Sequence, residues 1–155
     1  MRGLLVGSWL CLSPALGLAG CAEGDYGSIL ETAPLRGTNE VPANGSGATG
    51  AAAFVVDGKT VDYSVEARGL TGALFACLHS GAAGTNGPVR VTLFLAPPTG
   101  AVDGVLAQGT FTPFDVVGIG FEELLAEMRA GRAYVNVYTA AFPRGELRGQ
   151  VRGVQ

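Results

Sequence analysis

Along most of its length the chain alternates apolar and polar residues in short runs broken by Gly-rich turns. Residues 47–56 read GATGAAAFVV, Asp57-Gly58 follows, and after Lys59 comes TVDYSVEARGL. Asp-Gly between two alternating runs predicts a β-hairpin, because Gly accepts the positive φ that tight turns demand. In the second run Val61, Tyr63, Val65 and Ala67 alternate with Asp62, Ser64 and Glu66. A period of two gives a strand one buried and one wet face. Residues 73–79 (ALFACLH) and 89–95 (VRVTLFL) predict two more strands around Ser80–Pro88 (SGAAGTNGP), a turn-rich loop too polar to cross a core. Strands over 105–111, 133–140 and 146–151 follow, the last two joined by Ala141-Phe142-Pro143-Arg144-Gly145.

One segment departs from this period. Phe121, Leu124, Leu125 and Met128 recur at i, i+3, i+4 and i+7, one face of a helix over 121–130. Glu122 and Glu123 sit in its first turn, Arg129 in its last, and Gly131 is placed to stop it. Its apolar stripe is core material, laid over an open end or edge of the sheets. The expected fold is therefore all-β: an antiparallel, Greek-key-like β-sandwich or barrel of 7–9 short strands with one short helix. No repeat and no second domain is visible.

Composition sharpens this picture. Of 155 residues, 25 are Gly and 8 Pro, and only 15% are charged, which argues against coiled coils and charged disordered tails. The net charge is −3, without the basic stripe that nucleic acid requires, so no nucleic-acid partner is expected. A single His and three Cys leave little for metal or acid–base chemistry. No nucleophile elbow or phosphate loop occurs, the carboxylates are scattered, and neither enzymatic activity nor a cofactor is expected.

The first twenty residues carry a different signal. Met1-Arg2 opens an apolar stretch too short and too interrupted to span a bilayer, which suits a secretory leader. It ends Leu18-Ala19-Gly20-Cys21, which resembles the lipobox of bacterial lipoproteins. That resemblance implies cleavage before Cys21, lipidation of its thiol and acylation of the new terminal amine. Several acyl chains at about 0.8 kcal/mol per buried CH₂ anchor far more firmly than one. Residues 21–30 are expected to form a flexible tether and 31–155 the folded domain. Ala22, where Asp would favour inner-membrane retention, implies an outer-membrane destination. The expected partners are thus the membrane, through Cys21, and an envelope protein.

Four stretches of the remainder resemble the CHRD domain, named after the chordin proteins and found in bacterial exported proteins. They are Leu35-Arg36-Gly37-Thr38-Asn39-Glu40-Val41-Pro42; residues 76–84 with Asn86-Gly87-Pro88-Val89; Gly131 with residues 134–139; and Pro143-Arg144-Gly145-Glu146-Leu147-Arg148-Gly149-Gln150. Together they cover about residues 33–152 in the family's order. Their polar and glycine positions read as fold-holding. Asn39 and Glu40 can bond neighbouring backbone on an extended start strand. Gly81, Gly84 and Gly145 suit turns, and Asn136 can tie a strand to a loop. Glu146 and Arg148, two apart, can pair, and Gln150 closes the motif.

Family members commonly carry His-x-His where this chain has Cys77-Leu78-His79, and His where it has Tyr138. Three imidazoles on adjacent strands would resemble a superoxide-dismutase metal site. Cys77 and His79 project to one side of a strand, but two ligands with Tyr138 fall short of the usual three or four. A metal-handling or redox role through Cys77, His79 and Tyr138 is the alternative to a structural one, and a small ligand on the Ser80–Pro88 loop a weaker third. The main expectation is a lipid-anchored, non-enzymatic structural or protein-interaction module of the cell envelope.

Overall fold

A computed structural model of the chain describes residues 27–154. The expected leader, Cys21 and the tether as far as residue 26 lie outside the described residues. Nine strands and one helix follow: β1 Ser28–Thr32, β2 Leu35–Arg36, β3 Thr49–Asp57, β4 Thr60–Thr71, β5 Ala73–Ser80, β6 Val89–Leu95, β7 Ala101–Phe111, α1 Phe121–Arg129, β8 Ala133–Thr139 and β9 Leu147–Gly153. Every strand pair is antiparallel, in the order β6-β5-β8-β9-β1-β3-β4-β7, with β2 pairing β3 and β9. The expected all-β, sandwich-like fold is what forms.

The first and last strands join its two halves, Leu30 opposite Gly153. The halves enclose a core of Leu30, Phe54, Val65, Leu78, Val135 and Leu147, among others. Across the far side, the Tyr63 hydroxyl of β4 donates to the Leu93 carbonyl of β6 at 2.7 Å.

The alternation predicted for β4 holds: Val61, Val65 and Ala67 are fully buried and Tyr63 partly so. The hairpin at Asp57-Gly58 forms, with Gly58 at φ 56°. Helix α1 buries Phe121, Leu124, Leu125 and Met128. Its C-terminus closes by bonds from Gly131 N to Met128 O and Arg132 N to Glu127 O, with Gly131 at φ 70°. Those two bonds satisfy the last carbonyls in the Schellman arrangement.

Three expectations change. Residues 28–30, assigned to the tether by composition, belong to β1, and Leu30 is buried. Gly37–Asn39, expected in an extended strand, form a 3-10 turn closed by Glu40 N on Gly37 O. Strand β7 begins four residues early, at Ala101, with pairing irregularities against β4 that blur its period.

Strands β5 and β8 are buried on both faces. Ala76, Leu78, Val135 and Val137 point into the apolar core. Their alternates occupy the outer face in two cross-strand rows, Cys77–Asn136–Arg148 and His79–Tyr134–Gln150. Buried strands that carry polar residues on one face need partners for them. Two loops supply these.

Candidate functional site

His79 lies under the Ser80–Pro88 loop, its Nδ1 2.9 Å from the Gly87 carbonyl. A carbonyl only accepts, so Nδ1 carries the proton and Nε2 accepts from the Tyr138 hydroxyl at 3.0 Å. Burial, and then Arg148, push the His79 pKa below its ordinary value against that backbone bond, favouring neutral imidazole. Burial drives the Tyr138 phenol well above its usual range, which keeps it a donor. Its ring stacks on Phe75 at 4.4 Å.

Arg148 is only 1% exposed. Its guanidinium donates to Asn86 Oδ1 at 3.1 Å, Thr85 O at 2.7 Å and Ala82 O at 3.1 Å. It also lies 3.6 Å from the centroid of the Tyr134 ring, which stacks on His79 at 4.8 Å. Gln150 Nε2 donates to Gly81 O and Gly131 O, tying the same loop to the end of α1. Ser80 Oγ donates a short bond to Glu127 and accepts from Arg90 Nε at 2.7 Å. Gly87 has no alternative here: a Cβ on it would stand 1.7 Å from Ser80 O.

The second cover is the segment from Gly37 to Ser46. Asn39 is exposed, yet its Nδ2 donates to Pro34 O and Arg148 O. Asn44 Nδ2 donates to Gly145 O and Glu146 O, both at 3.1 Å. The Glu146 carboxylate accepts from Ser46 Oγ at 2.6 Å and Thr139 Oγ1 at 2.5 Å. Glu146 and Arg148 therefore do not pair with each other, because each is engaged by a different loop. Asn86 Nδ2 reaches the Val41 carbonyl at 2.8 Å and joins the two covers.

Glu40 and Asn136 meet at the centre, 6% and 4% exposed. Asn136 Nδ2 donates to Glu40 Oε2 at 3.4 Å, while Glu40 Oε1 and Asn136 Oδ1 have no partner. Both oxygens pack against Gly145, at φ 121°, where a Cβ would stand 2.7 Å from each. Burial lifts the Glu40 pKa to about 7, opposed by Arg148 and by the Asn136 bond.

Cys77 shares this face, its thiol pushed up by burial and hydrogen-bonded to Thr92. With both His79 nitrogens engaged by Gly87 and Tyr138, the alternative metal set of Cys77, His79 and Tyr138 has no open imidazole. Among the described residues no group of three His, Cys, Asp or Glu side chains is placed to hold a metal. Two open clefts border the covers. One of about 270 Å³ lies between Val41–Asn44 and Ala141–Gly145; the other, of about 390 Å³, is lined by Asn39, Glu40, Gly84, Arg148 and Gln150. Neither is lined by Asn136 or Glu146.

Asn44, Ser46, Thr139 and Tyr134 complete the network without having been singled out from sequence. Tyr134 and Thr139 lie within the resembling stretch 134–139, and Asn44 and Ser46 flank Gly45 as residue types that favour side-chain-to-backbone bonds.

The family model described as CHRD domain matches residues 32–151. No curated protein and no solved structure matches the chain.

Proposed function

The chain belongs to the CHRD domain family, and from that premise we propose that it is a non-enzymatic structural or protein-interaction module, held in the cell envelope by lipid on Cys21. The observation that carries this reading is how the motif side chains are used. Asn39, His79, Asn136, Glu146, Arg148 and Gln150 each bond another part of the same chain. A catalytic set needs groups free to meet substrate, and these are committed to two covering loops.

The lipid anchor rests on Leu18-Ala19-Gly20-Cys21 after an apolar leader, and Ala22 favours the outer membrane. Among the described residues no helix is long and apolar enough to cross a membrane, so attachment in this reading falls to the acylated terminus. Loss of the leader removes Arg2, leaving a mature net charge of −4. Detergent-phase partitioning tests the anchor: wild type enters the detergent phase and C21S stays in the aqueous phase. Equal partitioning of the two overturns it.

A further inference from the structure

The described body begins at one end of the sheet, and that end is distinctive. Ser28 stands opposite Val56, Val56 opposite Val61, and Val61 opposite Phe111, one row across β1, β3, β4 and β7. Three residues beyond that row is Phe114, 99% exposed. It is not on a slack loop. Thr112 caps the turn Pro113–Asp115, with its side chain accepting from Phe114 N and Asp115 reaching back to Thr112 N at 2.8 Å. The Val117 amide is fastened to the Arg90 carbonyl at 2.9 Å.

Eight large hydrophobic residues stay exposed among the described residues. Ile29, Val55 and Val154 lie toward this end on β1, β3 and after β9, while Phe114 and Val117 follow β7, with Asp62 and Thr110 between Val55 and β7 in the register. Ile29 pairs with Val55, and Val154 N bonds the Ile29 carbonyl. Leu95, 77% exposed, marks the opposite end. A fully exposed aromatic fixed on a capped turn, at an end that carries other exposed apolar residues, is costly in water and suits an apolar phase.

We infer that this end is the membrane-facing surface of the protein, with Phe114 entering the lipid interface beside the anchored terminus. The occupant follows from where the chain leaves the body. Cys21 to Gly27 is seven residues, at most about 25 Å when extended. Four strands at about 4.8 Å spacing put β1 and β7 well within that reach of one plane. A lipid on Cys21 thus keeps this end nearer the bilayer than the Leu95 end. The inference rests on the anchor reading above. It adds an orientation that a flexible leash alone does not impose.

The only Trp of the chain, Trp9, leaves with the leader, so a single introduced Trp reports on its own surroundings. F114W and L95W are purified as acylated full-length mature protein and reconstituted on phosphatidylcholine vesicles, with and without brominated acyl chains. Intact mass first establishes acylation at Cys21. The expected result is blue-shifted, bromine-quenched emission for F114W and water-like, unquenched emission for L95W. Acylated protein in which the two probes behave alike overturns the orientation and leaves the anchor standing. A mature chain without acyl mass overturns the anchor reading and the inference with it.

Discussion

The unpartnered oxygens of Glu40 and Asn136, ninety-six residues apart in sequence, converge on Gly145 inside the protein with no donor between them. Each would stand 2.7 Å from a Cβ on Gly145, so two buried acceptors face the same position. A proton on Glu40 Oε1 supplies the missing donor and, with Asn136 Nδ2 on Oε2, closes a reciprocal acid–amide ring. Burial already lifts the Glu40 pKa to about 7, so this acid is half-protonated near neutrality.

A raised folded-state pKa gives stability that is fully present below the unfolded value and lost as pH rises through the folded one. For Glu40 the window runs from 4.5 to about 7. E40Q keeps both bonds without a titrating group. Its thermal midpoint should exceed that of wild type by a margin that grows across this window and levels off above it. A margin independent of pH contradicts the ring.

His79 titrates in the opposite sense. Its pKa is lowered by burial, so its contribution is present above the unfolded value of 6.5 and lost as pH falls from there through the folded value. In the E40Q background acid destabilisation should therefore begin near pH 6.5. Nitrogen-detected NMR should show neutral imidazole with the proton on Nδ1 until the protein unfolds. Y138F removes the donor to Nε2 and should cost about 1 kcal/mol in denaturant unfolding.

Gly145 combines a positive φ with no room for a Cβ. G145A should cost about 2–5 kcal/mol, from strain together with overpacking against Glu40 and Asn136. Gly84, at φ 79° with open space around it, isolates the backbone effect, and G84A should cost about 1–2 kcal/mol. Chemical denaturation separates the two.

Arg148 holds the Ser80–Pro88 loop through three bonds and the face of Tyr134. R148A should cost about 3 kcal/mol, because it removes three bonds from a charged donor together with the stacking on Tyr134. R148K cannot reproduce the planar fork and should recover only part of that. Hydrogen exchange should rise first in residues 80–88. Unchanged protection there would show that the loop is held by other means.

The strands with one wet face were legible because polar and apolar positions alternate, as in β4, and the helix because its stripe follows the 3.6 period. Strands β1 and β2 were hidden by their brevity and mixed polarity; β2 is only Leu35–Arg36. β5 and β8 showed as apolar runs, but nothing local says that their second faces lie under loops. That cover depends on contacts such as Asn86 to Val41 and Asn44 to Glu146, which join distant parts of the chain. The motif named Glu40, Asn136 and Gly145 individually. Their convergence is a product of the strand register and could not be read from spacing.

The most direct test of a lipid-held envelope module is the intact mass of the native protein extracted from membranes. The mass expected is that of a chain beginning at Cys21 plus diacylglycerol and one further acyl group. A chain with an unmodified Cys21, or one that still carries its first twenty residues, contradicts it.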